Sequence, residues 1–471
     1  MRDARRERIL TTRRFLLVAY YFPPSASAGA FRWTRLCRHL RSCGWDPVVL
    51  TTSTSPGFYL DVDPALARTL PEDLRVVRVP SWEWGTAYRL PRGCPVGARP
   101  VRSLRERIAR RVGHEVRSRI RAALAPFLVP DEQVGWAARA YLRGRTLIDR
   151  LGIAAVVTTG MPHSAHLAGW MLKRHRRLPW VADYRDPWIS CGYIDRNLRA
   201  RWRRAIEARL EALLVRDADL NLVTTDTARC DFEARYPALR GRFRTVTNAF
   251  DPADFPGPPR GGPPRGADPV PGGRDVFRVV YCGNFFRKRT PLFALRALRR
   301  LFDAHPDLRS RIRLAFYGSF GFDEATGCWN REHVRTLGLE RQVHLGGRVP
   351  HAEAVRLERD ADLLLLVGGT DLDDGLHLPG KLFEYVGASR PVLATIRGGD
   401  AADLVRREGI GAVVAPDDEA AIAGALYEAY QAWACGGGRT VPSAVRERYR
   451  IESKAREVAD VLDRLVAGGR A

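Results

Sequence analysis

Residues 277–304 read FRVVYCGNFFRKRTPLFALRALRRLFDA. Phe277–Cys282 is a short, largely apolar run closed by Gly283, which predicts a buried strand. Pro291 then opens an apolar-periodic helix. A glycine at a strand end lets a ligand approach the backbone closely. Arg287, Lys288 and Arg289 stand just before the helix N-terminus, where a phosphate would find both cations and free N–H groups. A basic turn that is merely solvated is the competing reading.

A second stretch, His377–Pro391 (HLPGKLFEYVGASRP), adds weight. Pro379-Gly380 ends a loop and Lys381 opens a helix. Lys381 and Glu384 are three residues apart, on neighbouring positions of one helical face. Read functionally, they place a cation on a diphosphate and a carboxylate on sugar hydroxyls. Read structurally, they are a surface ion pair. Further strands are predicted at Ile312–Tyr317, Val343–Leu345, Asp362–Val367, Pro391–Thr395 and Gly411–Ala415, and a final helix over Ser443–Leu465.

The first half shows the same rhythm. Strands are predicted at Arg14–Ala19, Asp46–Thr51, Ala154–Thr158 and Pro179–Asp183. Helices are predicted over Ala30–Cys43, ended by Gly44, and over His166–His175. Alternating strands and helices, with apolar strands, argue for α/β architecture: parallel sheets covered on both faces. Residues 256–275, PGPPRGGPPRGADPVPGGRD, cannot build a core and read as a linker. The organisation expected is a Rossmann-like domain over 1–255 with a basic insertion at about 92–125, the linker, and a second Rossmann-like domain over 276–442. A C-terminal helical segment, 443–471, is free to pack back on the first domain. Two doubly wound domains would face a central cleft, and ligands in such sheets bind beyond the carboxyl ends of the strands.

The chain has 471 residues, 45% hydrophobic and 28% charged, which excludes collagen-like, disordered and small disulfide-scaffold classes. Its 77 Lys+Arg against 53 Asp+Glu leave a formal charge of +24. Nearly all of this is arginine; the lysines are Lys173, Lys288, Lys381 and Lys454. Such a balance points to an anionic partner without naming it. The eight cysteines, with no CxxC pair, fit neither zinc nor a disulfide framework and suit a reducing cytoplasm. Arg13-Arg14 and the apolar run to Phe22 imitate a leader peptide, but Tyr20, Tyr21 and Pro23-Pro24 suit a buried strand entering a loop better. No run of 18 apolar residues is present, so no transmembrane helix is expected.

Other candidates follow strands of the first half. Gly29 lies in the loop after the first strand and reads by itself as a flexible turn. His163 lies in Thr159-Gly-Met-Pro-His163-Ser-Ala-His166, and Arg185 and Asp186 in Asp183-Tyr-Arg185-Asp186-Pro-Trp188. Asp186 is a candidate acceptor of the substrate proton, or a helix cap or partner of Arg185. Asp371-Leu-Asp373-Asp374 has the look of a metal triplet but reads better as a solvated loop. Trp202, Ile206, Leu210 and Leu213/Leu214 at helical spacing predict a basic helix that packs its apolar stripe on the core, with docking on anionic lipid as the alternative.

GKLFEYVGASRPVLA resembles the nucleotide-sugar motif of the family 4 retaining glycosyltransferases, which have the GT-B fold. The resemblance covers nearly the whole chain. Residues 20–52 are similar to that family's opening strand, its glycine-bearing loop and its first helix. Thr245–Asp251 resembles its turn before the second domain, Val280–Gly283 and Ala315–Gly318 its next strand ends, and Val343–Arg348 with Ala361-Asp362 a later stretch. The resemblance implies a retaining, metal-independent transfer from a nucleotide-diphosphate sugar to a hydroxyl acceptor, with no cofactor. It implies Arg289 and Lys381 on the diphosphate and Glu384 on the ribose, with Gly283, Gly318, His377 and Gly380 lining the donor. It makes the neighbourhood of Gly29 an acceptor or phosphate loop. Many relatives carry a second glutamate where Leu376 stands, so His377, Asp374 or the 374–380 backbone would replace it. Many also carry a histidine where Arg185 stands, which leaves Arg185, Asp186 and His163 as catalytic candidates.

The family's habit implies surface polysaccharide or glycolipid assembly, with a carbohydrate, lipid-linked or small-molecule acceptor. It also implies a cytoplasmic protein, with an anionic membrane surface as an open further partner and no nucleic acid expected. Two alternatives stay open: a basic nucleic-acid- or membrane-binding protein on a degenerate GT-B fold, and a nucleotide-sugar epimerase.

Overall fold

A computed structural model describes residues 12–53, 62–81, 127–190, 200–255, 275–285, 289–321, 324–370, 378–438 and 440–468. The basic insertion at 92–125, the linker up to residue 274, the 371–374 acidic triplet, Leu376 and His377 lie outside the described residues. The chain divides into two compact units, Met1–Thr247 with Lys454–Ala471, and Asn248–Ser453.

The first unit is built on seven parallel strands: β1 (Arg13–Ala19), β2 (Trp45–Thr52), β3 (Arg75–Val79), β4 (Ile153–Gly160), β5 (Trp180–Tyr184), β6 (Leu220–Val223) and β7 (Phe243–Thr245). Their order is β3-β2-β1-β4-β5-β6-β7. Phe15–Ala19 is wholly buried, as expected of a strand covered on both faces. Gly44, in the left-handed region at φ 86°, ends the 3-10 turn after the helix Ala28–His39 and turns the chain into β2. At the other end of the sequence, Asp463 accepts from the Arg13 guanidinium at 3.0 Å and the Trp45 indole N–H at 3.2 Å.

The second unit repeats the plan with six parallel strands: β8 (Phe277–Cys282), β9 (Ile312–Tyr317), β10 (Val343–Gly347), β11 (Leu363–Val367), β12 (Val392–Thr395) and β13 (Gly411–Val414). Their order is β10-β9-β8-β11-β12-β13. Along β8, Phe277, Val279 and Tyr281 feed one apolar cluster while Val280 and Cys282 feed the one on the opposite face. That is the two-residue alternation of a strand with a core on each side.

Two expectations are corrected. The terminal helix is two helices, Ser443–Arg448 and Ile451–Gly468. The Phe250 N–H donates to the Tyr449 carbonyl (3.1 Å), and the Ile451 N–H donates to the Phe250 carbonyl (2.9 Å). This bridge draws the backbone out of the helical ladder. The helix Arg201–Asp217 buries only the C-terminal half of its apolar stripe, with Leu214 in the core and Leu210 packed against it. Trp202 and Ile206 are exposed, and Glu207 and Glu211 are buried instead.

Candidate functional site

In each unit the strand order reverses at one place, between β1 and β4 and between β8 and β11. Loops leaving the carboxyl ends there open a crevice, where doubly wound sheets take their ligands.

In the second unit, Gly283 ends β8 and Gly318 ends β9. The Gly283 N–H donates to the Tyr317 carbonyl (2.7 Å), and the Gly318 N–H to the Gly347 carbonyl (2.6 Å). Gly318 has φ 121°, and a Cβ there would run into the Gly283 carbonyl, so only glycine fits. Asn284 closes the turn by accepting the Ser319 N–H at 2.8 Å. A Cβ on Gly283 would overlap Lys381 Nζ. The bare backbone of Gly283 is therefore what admits the ammonium.

Lys381 stands in the first turn of the helix Gly380–Ala388. Its Nζ lies 4.2 Å from the centroid of the Tyr281 ring. Tyr281 is itself buried and stacked on Phe285, centroids 4.6 Å apart at 13°. A cation over a desolvated aromatic face is held by the ring quadrupole. The ammonium is thus fixed at the reversal point, on the side where the helix presents its N-terminal N–H groups. Arg289 is half-buried in the turn before the helix Leu292–Ala304.

Glu384 lies one turn along from Lys381 and is largely buried. Its Oε1 is 4.0 Å from His351 Nε2, which is also 3.7 Å from Asp254 Oδ2. Below, burial pushes the Cys282 thiol well above its ordinary range, with Glu358 adding to the shift, so it stays protonated. Tyr385 donates to the Leu365 carbonyl at 3.0 Å and pins the helix to β11.

In the first unit the ends of β1, β4 and β5 meet. Arg185 Nε donates to the Gly160 carbonyl (2.6 Å) and Nη2 to the Met161 carbonyl (2.8 Å). A Cβ on Gly29 would lie 2.7 Å from Arg185 Nη1. The guanidinium therefore packs over the first turn of the helix Ala28–His39 because residue 29 has no side chain. Burial lowers its pKa, while Asp186 and Asp183 pull it back up. A buried ion pair sets this helix in place. The Asp183 carboxylate accepts from Arg32 Nε (3.2 Å) and Nη2 (3.1 Å), Trp33 Nε1 (2.7 Å) and Thr159 Oγ1 (2.9 Å).

His163 is buried and stacks on Trp188 at 4.5 Å and 10°. His166, one helical turn on, shares a hydrogen bond of 2.7 Å with Thr158 Oγ1. Burial drags its pKa to about 3, so its ring is neutral. Asp186 sits half-buried in a bend, and no helix starts there for it to cap.

Lys381, Gly283 and Gly318 come together, and so do Gly29 and Arg185. His163 reaches the Gly160 turn that Arg185 also grips. Sequence reasoning missed Tyr281, His351, Asp254 and the Arg32–Asp183 pair. Tyr281 and Asp183 were in view as strand residues, but no local pattern announces which distant side chain each meets. Among the described residues, no group of three or more His, Cys, Asp or Glu is placed to hold a metal ion.

Residues 276–432 match the family model described as "Glycosyl transferases group 1". No curated protein matches the sequence. Three solved structures are similar over nearly their whole length. A glycosyltransferase from Rickettsia africae ESF-5 has 11% identity and a TM-score of 0.63, covering 97% of this chain and 99% of its own. Sucrose-phosphate synthase from Thermosynechococcus elongatus has 17% identity and a TM-score of 0.60, covering 97% and 100%. HepE from Anabaena, in complex with UDP and glucose, has 12% identity and a TM-score of 0.63, covering 95% and 99%. With two parallel sheets, each reversing at one strand pair, and with these similar structures, this chain has the GT-B fold, and its residues 276–432 match the group 1 glycosyl transferase model.

Proposed function

We propose that the protein is a retaining glycosyltransferase that moves a sugar from a nucleotide-diphosphate sugar to a hydroxyl acceptor, in the assembly of a surface polysaccharide or glycolipid. The observation that carries this reading is the Lys381 ammonium, held between the Tyr281 ring and the bare Gly283 backbone at the β8–β11 reversal. Transfer breaks the bond between the sugar's anomeric carbon and the diphosphate oxygen. The leaving diphosphate gains charge, and Lys381 with Arg289 stabilises it as it forms. Two fixed cations supply this without a metal or cofactor. Glu384 takes the ribose hydroxyls, and Gly318, Gly380 and His377 line the donor.

The acceptor oxygen bonds to the anomeric carbon on the face the diphosphate leaves, and its proton passes to a carboxylate or to the departing phosphate. Arg185, Asp186 and His163 are the acceptor-side candidates, around Gly29. The acceptor is a carbohydrate, lipid-linked or small-molecule hydroxyl in the cytoplasm, where an anionic membrane surface would suit the surplus positive charge. UDP-sugars are the first donors to test, since the similar HepE structure holds UDP and glucose.

The test is incubation of the purified protein with UDP-, GDP- and dTDP-sugars, reading nucleoside diphosphate release and the anomer of the product by NMR. Release with retained configuration is expected. An inverted product would remove the retaining assignment.

A further inference from the structure

The helix Arg201–Asp217 carries its charges the wrong way round for a core-packing helix. Its glutamates face inward. Glu207 holds Arg203 Nε at 2.9 Å, and Arg203 Nη2 in turn donates to the Leu128 (3.0 Å) and Pro130 (3.4 Å) carbonyls. Glu211 accepts the Ile189 N–H (2.9 Å) and the Tyr236 hydroxyl (2.7 Å) and pairs with Arg235. These bonds fix the rotation of the helix about its axis. They also anchor Leu128 and Pro130 beside it.

The opposite face is what remains. Trp202 is 43% exposed, Ile206, one turn on, is 39% exposed, and Phe127 is 71% exposed. Phe127 stacks on Trp202 with centroids 5.7 Å apart. Arg201, Arg204, Arg209 and Arg216 are exposed around them, and both glutamates of the stretch 201–216 are buried. Three large apolar side chains stand in one exposed group, and among the described residues of the helix the exposed charged side chains are all positive. This leaves uncovered surface that a merely solvated helix would not keep.

We propose that this face docks on an anionic lipid surface, with Phe127, Trp202 and Ile206 entering the headgroup boundary and Arg201, Arg204 and Arg209 meeting lipid phosphates. Charge complementarity selects this occupant. A second copy would bring the same positive face against itself. The chain's own 92–125 stretch is also arginine-rich, with Arg102, Arg105, Arg107, Arg110 and Arg111 among others. A lipid surface supplies net negative charge above an apolar layer that accepts aromatic rings. This inference names where the membrane partner of the proposed enzyme sits, but it rests on the first unit alone.

The test is co-sedimentation of the full chain with vesicles of phosphatidylcholine, with and without one-third phosphatidylglycerol. Wild type should bind the anionic vesicles and not the neutral ones. Trp202→Ser with Ile206→Ser leaves the net charge unchanged and should weaken binding at least tenfold at an unchanged melting temperature. Arg201→Gln with Arg204→Gln and Arg209→Gln should abolish the salt-sensitive part. Nucleoside diphosphate release with a soluble acceptor should stay at the wild-type rate in both variants, which separates docking from the transfer reaction. Undiminished binding by the Trp202/Ile206 variant would overturn the proposal, as would no binding to either vesicle. A dimer of wild type that this variant abolishes, without vesicle binding, would also overturn it.

Discussion

Gly283 carries two burdens that a single methyl group separates. Its N–H belongs to the ladder with β9, while its missing side chain leaves the volume that Lys381 Nζ fills. Gly283→Ala keeps the first and removes the second. A displaced reacting or binding group costs up to about 10²-fold in rate. Donor turnover in Gly283→Ala should fall by roughly that factor, read by nucleoside diphosphate release, and the strained φ of 159° there should lower the melting temperature as well, read by calorimetry.

His166 gives a prediction of a different kind. Its folded ring is neutral because burial drags its pKa from 6.5 to about 3. As the pH falls below 6.5 the unfolded chain takes up this proton and the folded chain does not. Stability is therefore lost from there down to about pH 3, at up to about 1.4 kcal/mol per pH unit. His166→Gln removes that proton, so its stability should fall less steeply than wild type between roughly pH 5.5 and 4.5. Parallel urea midpoints for the two proteins across that range would contradict the assignment.

At this scale the sequence marked Gly283, Lys381 and Glu384 because strand-end glycines and helix-opening charges are local signals. The partners that fix them were not legible. Tyr281 meets Lys381 at a separation of 100 positions, and Arg32 meets Asp183 at a separation of 151.

Among the elements, strands were read closely. Phe277–Cys282 and Ile312–Tyr317 match the expectation residue for residue, because buried parallel strands are short apolar runs with sharp ends. The helix Arg201–Asp217 shows where such reading fails. Hydrophobic spacing ranks Trp202 and Ile206 as core, but buried ion pairs outweigh them. Glu211 accepts three donors from two other segments, and none of those is visible in a helical window. Breaking a buried pair by removing one partner costs about 3–5 kcal/mol. Arg235 keeps some solvent, so Glu211→Ala should sit near the lower end, about 3 kcal/mol, measured by urea denaturation. A loss under about 1 kcal/mol would show that the carboxylate does not set the helix's rotation. The split at Tyr449–Arg450 escaped notice for a similar reason, since its cause is a backbone bridge to Phe250, two hundred residues earlier.

For the whole molecule, the charge of +24 resolves into parts. Lys381, beside the Tyr281 ring and Gly283, is the cation proposed for a diphosphate. Arg32, Arg203 and Arg235 are spent inside the first unit on buried acids. A further group lies on the exposed face of one helix. The α/β class and both parallel sheets were legible, because strand–glycine–helix rhythm repeats in each half. The first unit's use of Lys454–Ala471 follows from long-range packing. Nucleotide binding should protect the second unit selectively. At a hundredfold excess over Kd, a nucleoside diphosphate stabilises its binding state by about 2.7 kcal/mol. Hydrogen exchange should slow at 278–285 and 378–388 and not in β1–β7.

The central claim is that Lys381, set by Gly283 and Tyr281, takes the charge of the leaving diphosphate. It is tested most directly by nucleoside diphosphate release from a panel of UDP-, GDP- and dTDP-sugars, with wild type beside Lys381→Ala. The account predicts release from at least one donor by wild type. It predicts a loss of about 10²–10³-fold in Lys381→Ala at an unchanged melting temperature. Equal turnover by the two proteins, or no release from any donor by wild type, would contradict it.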